Sequence, residues 1–309
     1  MRQSARVCAR RYAELRVSNN QTQATCYLCG HSDFSRRSGS VRDATSLQIL
    51  ECGNCGLVAL SSLQHIQDSH YANSGMHGDL LPSVDAWLRE SEHDDKRRFD
   101  MLESSLVNSR VLDFGCGAGG FVLRAGQLAA EVVGIEPEHR VREHWGDRLC
   151  IRSGLENAGT GFDLITAFHV LEHLPDPRET LKRLSGLLAR RGRMVIEVPS
   201  SEDALLTLYE SDAFTHFTYW SQHLFLFNSE TLRNLVQQAG LRVITIRQLQ
   251  RYPLSNHLHW LSRGRPGGHK QWSFLDTPIL NEAYANSLAA LGKCDTVVAF
   301  IENPGVERE

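Results

Sequence analysis

Two carboxylates and a run of glycines carry the first chemical signal in this 309-residue chain. Asp113 closes the apolar run Val111–Leu112, and glycines follow at 115, 117 and 119. A second apolar run, Val132 to Ile135, ends in Glu136 and Pro137, so the two acids stand twenty-three residues apart. Glycine lets a backbone approach a ligand closely, because no Cβ stands in the way. An acid at that spacing is what a strand-helix-strand unit offers to a ribose diol. Gly115, Gly117 and Gly120 also satisfy the GxGxxG pattern of dinucleotide binders, so the glycines alone leave the ligand open. Asp113 narrows it, since a carboxylate two residues before the first glycine repels a pyrophosphate and favours a cationic nucleoside. S-adenosylmethionine, with its sulfonium and ammonium, meets that description.

Four thiols form the second signal. Cys26 and Cys29, then Cys52 and Cys55, make two CxxC pairs, each followed by glycine and separated by 22 residues. Two such knuckles can close a tetrahedron of thiolates around structural zinc, leaving no open position for chemistry. A disulfide framework is the alternative, and nothing in the sequence suggests an oxidising compartment.

Four segments together resemble a class I S-adenosylmethionine-dependent methyltransferase over residues 108–248. They are the Asp113 to Gly119 turn, Glu136, the string FDLITAFHVLEHLPD at 162–176, and LLARRGRMVIEVP at 187–199. The resemblance implies that Asp113, Gly115, Gly117, Gly119, Glu136 and Pro137 hold the cofactor, with Glu136 on the ribose hydroxyls. It further implies Leu155 near adenine and Phe168 and His169 near the methionine end. His173 reads as a packed histidine. The stretch FTYWSQHLFLFN at 217–228, together with the N-terminal ribbon, is similar to the sugar C-methyltransferases of deoxysugar pathways. That likeness implies His223 as general base, the residue at 222 as its partner, and Tyr71 beside the cofactor. Here Gln222 stands where those enzymes have glutamate, and the sequence ends soon after its last expected strand, without their long C-terminal domain.

These residues need a sheet to hold them. Apolar runs predict strands near 110–114, 131–135, 149–152, 162–167, 193–198, 241–248 and 295–302, with helices over 84–106, 177–188 and 229–239. The expected fold is α/β: a seven-stranded, doubly wound, Rossmann-like methyltransferase sheet, with a small N-terminal zinc ribbon and an inserted cap before the last strand. The expected division is a tail (1–22), ribbon (23–62), linker and helix (63–107), cofactor domain (108–248 with 294–305) and substrate cap (249–293). Within the cap, Thr277, Pro278 and Gly292 delimit a helix, and the basic, glycine-rich residues 263–270 offer a candidate phosphate cradle.

Composition bounds the function. A net charge of −3, from 33 basic and 36 acidic residues, gives no drive toward nucleic acid or an anionic membrane. No apolar run nears the length of about 20 residues that spans a bilayer, and the arginine-rich start lacks a signal-peptide core. The expectation is a cytoplasmic enzyme that methylates a small polar metabolite, such as a nucleotide-linked sugar. An RNA methyltransferase gripping its substrate through the ribbon, and a non-catalytic cofactor-binding scaffold, are the competing readings. The oligomeric state is not readable.

Overall fold

In the structure, a computed structural model, residues 25–66, 71 and 81–304 are described. The expected 1–22 tail and most of the segment after the ribbon lie outside them. Ser83 accepts the Ala86 N–H and starts helix α1, Val84–Leu106. The sheet that follows is built from β4 (Arg110–Phe114), β5 (Glu131–Ile135), β6 (Ile151–Arg152), β7 (Phe162–Phe168), β8 (Leu188–Pro199), β10 (Arg242–Leu249) and β11 (Thr296–Glu302). Their spatial order is β10-β11-β8-β7-β4-β5-β6. The first five in sequence pair in parallel, while β11 lies antiparallel between β8 and β10. The strand order reverses between β4 and β7, and doubly wound sheets bind ligands in the crevice beyond the carboxyl ends of their strands at such a reversal.

Short helices cross over between the strands: α2 (Gly120–Ala125), α3 (His139–Trp145) and α4 (Pro177–Ser185). The central strands are dry on both faces. Leu112, Ile165 and Ile196 have no exposed surface, each worth about 2 kcal/mol relative to an exposed side chain. Strand β8 starts at Leu188 rather than near 193, because its leading residues already pair with Phe162 before the register shifts. Strand β6 is shorter than its expected span.

The ribbon forms a second sheet: β1 (Phe34–Arg36), β2 (Ile49–Cys52) and β3 (Val58–Leu60), all antiparallel. Its fourth strand, β9 (Phe225–Leu226), comes from the other end of the chain and pairs with β3. One apolar core accordingly runs from Leu28, Val41 and Ile49 through Phe225 and Phe227 to Leu112 and Ile196. Helices α5 (Ala204–Thr207), α6 (Asp212–Thr218) and α7 (Ser229–Gln238) flank β9. Between β10 and β11 stand α8 (Leu254–Arg263), α9 (Gly268–Gln271) and α10 (Pro278–Leu291), the last capped by Thr277 and closed by Gly292 in the left-handed conformation.

Candidate active site

Strand β4 delivers Asp113 to the crevice, where Thr166 of the neighbouring β7 donates a 2.7 Å hydrogen bond to its carboxylate. The group is 2% exposed and makes no ion pair among the described residues. Burial therefore pushes its pKa up to about 7. The following turn carries positive φ at Gly115, Gly117 and Gly119. At Gly115 a Cβ would come within 2.5 Å of Val170, so the turn touches the loop after β7 only because the residue is glycine. Glu136, just beyond β5, closes the same space. One of its oxygens accepts the Gly117 N–H and the other the Glu138 N–H, both at 3.0 Å. Burial raises Glu136 to about 7 as well, against those two amides. Two buried carboxylates thus flank a tight glycine turn, and a cation or a pair of hydroxyl donors would relieve both.

Pro137 leads from Glu136 toward α3, and Leu155 sits half-buried in the short turn after β6. Phe168 packs edge-on against Phe121 at 5.1 Å, under the Arg98 guanidinium. His169 holds φ at 55°, a rare backbone state for a residue with a Cβ. Its ring lies 3.2 Å from both Glu172 and Glu197. Burial and Arg251 oppose protonation of His169, but the two glutamates outweigh them and raise its pKa. The contacts tie His169 into a buried charge network: Arg97 and Arg98 of α1 grip Glu197, and Arg251 grips Asp94.

His223 lies in the segment leading into β9. Its ring is 4.9 Å from that of His173 and 5.5 Å from that of Trp220. Burial first, and then His173, depresses the His223 pKa to about 3, so the imidazole is neutral. Tyr71 donates a hydrogen bond to the His173 carbonyl at 3.1 Å and faces its ring. Gln222 is buried, and its backbone carbonyl lies 2.9 Å from His173 Nδ1. The sequence did not single out Glu172, which has no exposed surface. Despite burial, His169, His173 and His223 hold its carboxyl below the usual range. A carboxylate thus sits among these histidines although position 222 supplies none.

Residues 87–246 match the family described as a methyltransferase domain. The chain belongs to that methyltransferase family. Relatives of this methyltransferase differ in the chemistry their names record. It is 24% identical over 255 residues to the C-methyltransferase NovU of Streptomyces niveus, covering 72% of this chain and 56% of that protein. It is 33% identical over 97 residues to a ubiquinone biosynthesis O-methyltransferase of Bradyrhizobium diazoefficiens, covering 28% and 38%. It is 29% identical over 141 residues to a tRNA U34 carboxymethyltransferase of Wolinella succinogenes, covering 40% and 51%. The matched region thus spans about half, or less, of these curated relatives.

At the other end of the methyltransferase, the Cys26 and Cys55 sulfurs lie 3.6 Å apart and those of Cys29 and Cys52 3.5 Å apart. All four fall within 4.8 Å of one another as free thiols. Thiolates on one zinc ion, at about 2.3 Å each, stand about 3.8 Å apart, so the cysteines fit that ion. In the insertion, Gly268 meets Ser255 and His259 of α8 where any side chain would collide. Helix packing therefore explains this glycine, while Arg263, Arg265 and Lys270 stay exposed. No described helix is long and apolar enough to cross a membrane.

Proposed function

We propose that this chain transfers the methyl group of S-adenosylmethionine to an oxygen or carbon of a small polar acceptor, with a nucleotide-linked sugar or related saccharide precursor as the acceptor class. The observation that carries the reading is the pair Asp113 and Glu136, both buried and both displaced toward neutrality at the ends of adjacent strands. Asp113 would face the amino acid moiety, Glu136 the ribose hydroxyls, and Leu155 the adenine side. Gly115, Gly117 and Gly119 give the close approach, with Pro137, Phe168 and His169 shaping the walls. When bound, S-adenosylmethionine supplies a methyl group already activated by its sulfonium. The protein has then to orient the acceptor and let it lose a proton. Tyr71, Gln222 and His223 form the acceptor side, and the proton is lost beside His223. Cys26, Cys29, Cys52 and Cys55 would hold a structural zinc, and the insertion 249–293 would cover the acceptor. The acceptor class rests on the ribbon, on the histidine segment and on the length of the match to NovU.

Calorimetry with S-adenosylhomocysteine, followed by thermal-shift screening of nucleotide sugars in its presence, tests the reading. Binding of that nucleoside and stabilisation by at least one nucleotide sugar are expected. Tight binding of nicotinamide dinucleotides instead would overturn the cofactor assignment, and steeply salt-dependent RNA binding would overturn the acceptor class. Replacing His223 by Ala should leave cofactor affinity within about threefold and lower turnover about a hundredfold.

A further inference from the structure

We propose that Glu172, His173 and His223 bind a divalent transition-metal ion on the acceptor side of the crevice. Each offers one ligand atom, and the three atoms lie within 4.8 Å of one another. Two buried polar atoms of this cluster have no hydrogen-bond partner among the described residues: Oε2 of Glu172 and Nδ1 of His223. An orphaned polar atom in a dry interior costs about 1–3 kcal/mol, and two of them in one cluster mark a place where something binds. His173 is already set as a ligand. Its Nδ1 lies 2.9 Å from the Gln222 carbonyl, which can only accept, so Nδ1 carries the hydrogen. In its neutral form the ring turns Nε2 toward Glu172, 4.0 Å away. A carbonyl behind the ligating imidazole is the usual outer support of a metal-bound histidine.

The ring geometry agrees. Two imidazoles bound to one ion at about 2.1 Å, roughly at right angles or slightly wider, place their centroids about 5 Å apart; here they are 4.9 Å apart with planes at 67°. Two imidazoles and one carboxylate suit zinc, cobalt, manganese or iron(II) rather than calcium or magnesium, which prefer all-oxygen shells. The cysteine cluster is separate chemistry, with four thiolates and no open position.

What the ion does rests on the methyl-transfer reading; that it binds does not. With three protein ligands the ion keeps open positions for an acceptor oxygen, and a hydroxyl bound there loses its proton to water more readily. The oxygen's electron pair then forms the bond to the methyl carbon while the carbon–sulfur pair returns to sulfur as a neutral thioether.

The test uses the full chain with its ribbon loaded with zinc, titrated with Co(II). One equivalent of cobalt should bind, with visible bands of nitrogen and oxygen ligation and without the thiolate charge-transfer band that entry into the ribbon would give. Glu172→Gln and His223→Asn should each weaken uptake at least tenfold, and the exposed Glu156→Gln should not. Glu172 also meets His169, so His223→Asn decides the matter if Glu172→Gln fails to fold. No uptake beyond the ribbon, or undiminished uptake by folded His223→Asn, overturns the proposal and leaves bound water as the occupant. S-adenosylhomocysteine binding by the same samples separates the two readings: cofactor without cobalt sinks only the metal site, and cobalt without cofactor sinks only methyl transfer.

Discussion

Replacing Asp113 by Asn should make the cofactor-free protein more stable and the cofactor weaker in binding. The carboxyl is displaced from 3.8 to about 7 by burial, which corresponds to about 4 kcal/mol of disfavour for its ionised form above pH 7. The sign follows from linkage. The folded state holds the proton more tightly than the unfolded chain does, so stability falls as pH rises from about 4 to about 7 and then levels. Asparagine removes that cost and can still accept the Thr166 hydroxyl. Allowing for relaxation, a gain of about 1–3 kcal/mol is expected at pH 8, or roughly 1.5–5 °C in Tm for a chain of this size. Near pH 4 the gain should vanish. If Asp113 holds the cofactor's ammonium as proposed, the same change removes a charge-assisted contact worth about 1.5–3 kcal/mol, so the Kd for S-adenosylhomocysteine should rise about tenfold to a hundredfold. Differential scanning calorimetry at pH 4.5 and 8, with and without ligand, reads both effects. An Asn variant that melts lower at pH 8, or binds the ligand as tightly as the parent, would refute the reasoning.

Glu136→Gln should weaken S-adenosylhomocysteine about tenfold or more while leaving the far-ultraviolet spectrum unchanged, as measured by titration calorimetry and circular dichroism. Removing metal from the ribbon with a strong chelator should lower Tm and slow turnover together, because β3 supports β9 immediately after His223. Loss of zinc without loss of activity would count against that coupling. Arg251→Met leaves Asp94 without a guanidinium from the insertion and should cost about 3 kcal/mol in urea unfolding. Gly268→Ala should be destabilising by more than about 1 kcal/mol, since Ser255 and His259 stand where its Cβ must go.

The parts legible in the sequence were those where residue type changes sharply along the chain. Apolar runs ending in Asp113 and Glu136 located two strand ends, and Thr277 and Gly292 marked helix limits that the backbone follows. What stayed hidden depends on contacts between distant segments. Phe225 and Leu226 lie in the segment singled out for His223, and only the folded chain shows them completing the ribbon's sheet. Glu172 lies in a string that reads as strand and loop, and its neighbour His223 is fifty-one positions away. Asp94 and Arg251 look like ordinary surface charges until α1 and the insertion bring them together.

The late arrival of β9 bears on how the polypeptide is made. The ribbon leaves the ribosome early and its cysteines can come together at once, yet the outer edge of β3 waits until Phe225 and Leu226 have been synthesised. An unpaired edge above an apolar surface is an invitation to neighbouring nascent chains. Slow translation through the intervening codons, or truncation before residue 225, should therefore reduce the soluble yield.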